Sequence, residues 1–313
     1  MHTGYNQAPH PVPLFCKDLA RGQQLITPAW LASLMAGAAV EAAPGKHWRL
    51  LEVGCGAPDD FLRSHLQGAA YLDTHRLEAG PFWNKVPDDA LLKLLLDLGI
   101  AHDTTVMLYG RNTTAAARAA HLLLYAGVRD VRLLDGGFAA WLRAGLPCAT
   151  GEPQHCPAVS SFGAVFPGCP HFLINTGQAA TLLVQPDAAL VSIRTWDEFT
   201  GKTSGYPYIS AKGDIPGARW GRAGDGSDVN NMSAFQWPDG TMRPAQEITR
   251  FWHKENVHPG LKTAFYCGTG WRASVAFYYA WLMGWEKISV YDGGWFEWSH
   301  SLQASESSLL QNT

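Results

Sequence analysis

Two parts of this 313-residue chain are written on one plan. Repetition on that scale predicts two similar units rather than one continuous core. Met107-Leu108-Tyr109-Gly110 aligns with Ala264-Phe265-Tyr266-Cys267, and Asp135-Gly136-Gly137-Phe138-Ala139-Ala140-Trp141 aligns with Asp292-Gly293-Gly294-Trp295-Phe296-Glu297-Trp298. The spacing between these landmarks is the same in both copies, 25 positions (135 − 110 and 292 − 267). Upstream, His65-Leu66-Gln67-Gly68-Ala69 pairs with Asp214-Ile215-Pro216-Gly217-Ala218, and residues 50–53 pair with residues 190–193. Leu25-Ile26-Thr27-Pro28 and Leu173-Ile174-Asn175-Thr176 each precede an apolar stretch.

Within each copy, apolar runs of four to five residues alternate with longer helical patterns. That alternation predicts an α/β fold, with a small parallel sheet flanked by helices on both sides in each copy. Residues 1–24 read as a loosely ordered arm and residues 25–150 as the first domain. Residues 151–170, rich in Pro, Gly, Ser and Cys, read as a linker; residues 171–302 form the second domain and 303–313 a tail. The second copy carries two extra stretches, 201–212 and 221–240, whose length suits a lid over a reactive residue and a plain surface excursion about equally.

Residues 263–276, TAFYCGTGWRASVA, carry the chemistry. A short buried strand runs into Cys267, a glycine-bearing loop follows, and a helix begins directly after it. A sulfur at that junction meets loop amides and the positive end of a helix, which favour thiolate over thiol. Gly268 and Gly270 allow the backbone to turn its N–H groups toward one point. The candidate cradle is therefore Gly268, Thr269, Gly270, Trp271 and Arg272, with Arg272 adding a permanent charge. In the first copy the cysteine position is Gly110, which has no nucleophile. One working domain and one silent domain fit that asymmetry.

Tandem copies with HxxGA-like turns, a strand–loop–helix cysteine and a DGGxxxW close resemble the rhodanese superfamily of sulfurtransferases, over nearly all of residues 25–301. The resemblance implies that Cys267 takes the sulfane sulfur of a small anionic donor, thiosulfate or 3-mercaptopyruvate. It holds that sulfur as a persulfide and passes it to a thiol, cyanide or protein acceptor, with no metal or organic cofactor. It also implies that Arg272 attracts the donor and that Arg194 either lines the pocket or makes an interdomain or helix-capping salt bridge; Arg219, Trp220 and Arg222 follow the Gly217-Ala218 turn, where the chain would pass near the loop. Arg194 stands at an acidic-x-Arg position whose acidic member is Ser192 here. The other five cysteines read as structural, with Cys16 the most exposed.

Other classes fit less well. Related phosphatases place five residues between Cys and Arg, whereas Cys267 and Arg272 enclose four, a ring suited to one sulfur atom rather than phosphate or arsenate. Leu50-Leu51-Glu52-Val53-Gly54-Cys55-Gly56 with Asp73 resembles the first motif of S-adenosylmethionine methyltransferases, but Ala57 replaces the third glycine and the paired segment 190–194 has none. A persulfide carrier without turnover shares every feature named. The net charge of −3 and the absence of a basic run argue against nucleic acid and anionic membranes as partners. Six cysteines without CxxC or Cys/His metal spacing point to a reducing, cytoplasmic setting; a periplasmic one would require a longer precursor. Residues 29–43 imitate a signal-peptide core but read as a folded helix, because the second copy holds an equivalent stretch.

Overall fold

The computed structural model describes residues 18–226 and 228–301. In the first copy the chain runs β1 (Leu25–Ile26), α1 (Pro28–Met35), β2 (Trp48–Gly54), α2 (Asp59–Arg63), β3 (Ala70–Asp73), the small hairpin β4 (Glu78–Ala79) and β5 (Asn84–Lys85), α3 (Asp88–Asp97), β6 (Thr105–Tyr109), α4 (Thr113–Ala126), β7 (Asp130–Leu134) and α5 (Gly137–Arg143). The second copy runs β8 (Leu173–Ile174), α6 (Thr176–Leu183), β9 (Ala188–Ser192), α7 (Trp196–Phe199), β10 (Arg219–Trp220), α8 (Ala245–Lys254), β11 (Lys262–Tyr266), α9 (Trp271–Leu282) and β12 (Ile288–Tyr291).

The five-stranded sheets are parallel and share one order, β1-β7-β6-β2-β3 and β8-β12-β11-β9-β10. The duplication read from sequence is therefore a duplication of topology. The interior strands β6 and β9 are buried along their whole length, as expected for strands covered on both faces.

One face of each sheet shares a single core with the other domain: α4 packs on α9, and α3 and α8 close the flanks. The opposite face of the first sheet is covered by Trp30 and Leu31 of α1, Phe61 of α2, and Phe138 and Trp141 of α5. The corresponding face of the second sheet carries Ala179 of α6 and Trp295. Trp281 is also buried, while Trp298 is half-buried against the last of these clusters.

The stretch 29–43 is helical only as far as Met35; Thr27 caps the start and Gly37, at φ +76°, lies just past the end. Asn175 caps α6 in the same way, with Gln178 completing a capping box. The described part of the arm is folded rather than loose. Arg21 bonds the carbonyls of Leu282 (2.9 Å) and Trp281 (2.5 Å) in the second domain, and Leu19 is buried. The 151–170 connection is irregular but pinned along the first domain, with Gln154 bonded to Ala69, Val159 to Leu96 and Cys169 to Tyr125. No helix among the described residues is long and apolar enough to cross a membrane.

Candidate active site

Strand β11 ends at Tyr266, so Cys267 stands at the strand-to-helix junction of the second copy. Its side chain is 1% exposed, and the N–H of Gly270 donates to its Sγ at 3.2 Å. Gly270 takes φ +104°, a left-handed conformation open to glycine, and α9 starts one residue later with no side-chain cap. The first-turn amides of α9 thus keep their donors for something other than a capping side chain. The Cys267 carbonyl accepts from the N–H of Trp295 (2.8 Å) and that of Gly268 from Phe296 (3.1 Å), so the Asp292-Gly293-Gly294 turn anchors the loop from below. In the first copy, Gly110 and Phe138 make the equivalent bond at 3.1 Å.

The cradle differs from expectation at two points. The N–H of Gly268 donates to Tyr206 Oη at 3.2 Å rather than to the sulfur. A Cβ on residue 268 would collide with the Tyr206 ring, which explains glycine there. Arg272 does not present its charge freely to a donor. Its guanidinium is 1% exposed and grips Glu198 with two bonds of 2.8 Å, and a third goes to Tyr206 Oη at 2.7 Å. Burial alone would weaken its hold on a proton, but Tyr206, Glu198 and Cys267 raise its pKa well above the usual value. Burial likewise pushes the Glu198 carboxyl up, yet the Arg272 bonds and charge outweigh it and hold it down at about 2. Arg272 is therefore a permanent charge beneath the loop, already paired, with only its Nε unbonded.

Arg194 and Trp220 do not reach the site. Arg194 is fully buried behind it, bonded to the carbonyls of Gly213 (2.7 Å) and Ser204 (3.1 Å) and paired with Asp214 (3.2 Å) and Glu198 (3.4 Å). The acid missing at Ser192 is supplied by Asp214, which accepts from Ser192 Oγ at 2.7 Å and from Tyr266 Oη. Trp220 donates its Nε1 to the Arg194 carbonyl at 2.9 Å and packs on Trp196, facing a separate groove with Arg222. Arg219, also expected nearby, bonds the Asn256 carbonyl instead. Each is spent on holding β9 and β10 in place.

A cleft of about 530 Å³ opens above the loop. Thr269, Trp271 and Arg272 form its floor, and Tyr206, Pro207 and Tyr208 from the first extra stretch form one wall. Val229 and Asn230 of the second stretch also border it, so both inserts contribute to the lining of the cleft. The first domain supplies the opposite wall: Cys55, Thr74, His75, Glu78, Pro81 and Trp83. Glu78 accepts from Trp271 Nε1 at 2.8 Å and from Arg118 Nε at 2.7 Å, which fixes that wall against the loop.

The family model described as a rhodanese-like domain matches residues 27–144 and again 175–301. The chain belongs to the rhodanese family. It is 52% identical over 287 residues to the thiosulfate sulfurtransferase YnjE of Escherichia coli (strain K12), covering 92% of this chain and 66% of that protein. The chain thus spans about two thirds of that relative's length. The crystal structure of YnjE superposes with a TM-score of 0.87, over 90% of this chain and 67% of that one. The sulfur carrier protein TtuD of Thermus thermophilus is 30% identical, covering 80% of this chain and 88% of its own length. EanB, solved with a cysteine persulfide and ergothioneine, superposes at 0.86 with 36% identity, covering 90% of this chain and 70% of that one. A further structure, of the anaerobic ergothioneine biosynthesis enzyme from Chlorobium limicola with its natural substrate trimethyl histidine, superposes at 0.85 with 36% identity, covering 90% of this chain and 69% of that one.

The methyltransferase reading of residues 50–56 ends here. That segment is β2 of a rhodanese domain, and the Tyr71 ring fills the space beside Gly54 where a ligand's approach would be needed. Of the remaining cysteines, Cys156 and Cys169 are half-buried, and Cys55 and Cys148 are exposed. Cys16 lies outside the described residues. Tyr206, Tyr208 and Glu198 went unread because their signal was only position, an insert and a short helix far from Cys267 in sequence.

Proposed function

We propose that this rhodanese-family protein is a sulfurtransferase whose nucleophile is Cys267. The Cys267 thiolate attacks the sulfane sulfur of thiosulfate or 3-mercaptopyruvate. With thiosulfate, the new Cys267 S–S bond forms as the donor's S–S bond breaks, and sulfite leaves with the electron pair. The observation that carries this reading is the Gly270 N–H aimed at Sγ from the start of an uncapped helix. A persulfide adds one bond of about 2 Å, and its outer sulfur is then the atom offered to the cleft. The preformed amides and the buried Arg272 charge stabilise the anion there without reorganising. A thiol or cyanide removes the outer sulfur and restores the thiolate; no metal or organic cofactor enters any step.

Burial of Cys267 restricts the first step to a small donor. Mixing the protein with thiosulfate and cyanide is expected to release thiocyanate, and the Cys267→Ser variant to release none while folding normally. Transfer that survives this substitution would move the nucleophile elsewhere. A mass gain of about 32 Da on Cys267 without turnover would make the protein a carrier.

One feature favours a second acceptor class. Trp83, Tyr206, Tyr208, Trp271 and Phe296 surround the cleft, with Glu78 among them, a lining that suits a flat ring bearing a quaternary ammonium group. The tyrosine altered in the EanB variants stands as far before its persulfide cysteine as Tyr208 stands before Cys267, and the altered threonine, two positions after it, matches Thr269. Sulfur transfer to trimethyl histidine, assayed with thiosulfate as donor, tests this acceptor; no sulfur-bearing product would exclude it.

A further inference from the structure

The turn Gly54-Cys55-Gly56 has no part in the chemistry above, yet it places a second thiol in the same cleft. Cys55 Sγ lies 3.9 Å from His75 Nε2. On the other side of that ring, His75 Nδ1 lies 3.1 Å from Asp73 Oδ1. The carboxylate is itself held by the N–H groups of Gly56 (2.8 Å) and His75 (3.0 Å). The Asp73 carboxylate beside Nδ1 favours the tautomer with the proton on that nitrogen, which leaves the lone pair of Nε2 facing the thiol. Nucleophile, base and orienting acid thus stand in sequence.

The fold does not require this thiol. The matching position in the second copy is Thr195, which caps α7. Nor is Cys55 packing material, because it is exposed. The contrast with Cys267 is the useful one: that sulfur is buried under the loop whose Thr269, Trp271 and Arg272 floor the cleft, whereas Cys55 is an exposed sulfur on the cleft wall.

We propose that Cys55 is a second sulfur-bearing thiol, which takes the sulfane sulfur from the Cys267 persulfide and presents it to an acceptor too large to enter the cleft, such as the thiol of another protein. The inference rests on the reading of Cys267 as the first acceptor. In the transfer, His75 Nε2 takes the Cys55 proton and Cys55 Sγ attacks the outer sulfur of Cys267–S–S⁻. The Cys55–sulfur bond forms as the Cys267 S–S bond breaks, and Cys267 departs as thiolate. One persulfide is exchanged for another, so no oxidant or reductant is consumed.

The test is a time course of peptide mass spectrometry after thiosulfate is added to the whole protein. A gain of about 32 Da is expected on Cys267 first and on Cys55 after it. In Cys267→Ser, Cys55 is expected to gain nothing. In His75→Gln, labelling of Cys55 is expected to slow by about a hundredfold relative to Cys267 in the same sample. A labelled Cys267 beside a Cys55 that never gains sulfur would overturn the relay alone. So would a Cys55 that labels equally fast in Cys267→Ser, and an unchanged ratio in His75→Gln would remove the base. If neither cysteine gains sulfur, the Cys267 reading fails and the relay with it.

Discussion

At the scale of single residues, the loop rests on a buried ion pair that makes no hydrogen bond to the Cys267 sulfur. Arg272, Glu198 and Tyr206 form one closed unit beneath the loop. Glu198→Gln leaves the Arg272 charge buried without its counter-charge, and urea denaturation is expected to show a loss of about 3–5 kcal/mol. The same residue sets an acid limit. Its folded pKa, about 2, lies below an unfolded value of about 4.3. Its contribution is therefore complete above pH 4.3, lost as the pH falls from there to about 2, and absent from Glu198→Gln. Gly268→Ala drives a Cβ into the Tyr206 ring. The expected cost is about 1–3 kcal/mol, with reduced thiocyanate release because Tyr206 also holds the Gly268 amide; unchanged turnover would separate Tyr206 from the chemistry.

At the scale of elements, α4 and α9 form the seam between the domains, and each begins after a strand that ends at a corresponding position. Only α9 has a cysteine before it. Helix α4 instead contributes the buried Arg118 and His121. Burial, reinforced by the Arg118 charge, pushes the His121 pKa down to about 3, and its Nε2 bonds the Phe172 carbonyl at 2.8 Å. On acidification the unfolded chain takes up a proton below about pH 6.5 that the folded one refuses until about 3. Stability therefore falls across that window by up to about 1.4 kcal/mol per pH unit. His121→Gln keeps a donor for Phe172 and is expected to flatten this slope in denaturation curves measured at pH 7, 5 and 4; an unchanged slope would assign it to other groups.

At the scale of the whole molecule, the first domain supplies one wall of the cleft over the second domain's loop. Arg118 of the first domain pairs with Glu78 and with Asp292, the aspartate of the second copy's Asp-Gly-Gly turn. Asp292 also accepts from the Lys85 N–H at 2.7 Å, and Asn84 bonds Glu297 at 2.8 Å. In the other direction, Asp135 of the first copy's turn accepts from the Met242 N–H at 2.8 Å. Each domain thus holds the other by the same motif. Calorimetry is expected to show one cooperative transition. Arg118→Met strands two buried carboxylates at a cost of about 3–5 kcal/mol and is expected to split the melt into two steps. A wild-type protein already melting in two steps would contradict this coupling.

Local order explains what could be read along the chain. The repeated spacing of glycines, turns and apolar runs is short-range information, and it carried the two-domain α/β plan and the strand–loop–helix setting of Cys267. The partners of buried charges are long-range. Arg272 read as a free cation because Glu198, 74 positions away, meets it only when α7 packs against the loop, and Asp214 replaces the acid absent at Ser192 only after β9 and β10 pair. The cleft and the Cys55–His75–Asp73 arrangement on its wall likewise needed both domains folded together. Proximity between distant residues is created by packing, and packing alone decides which charges remain free to act.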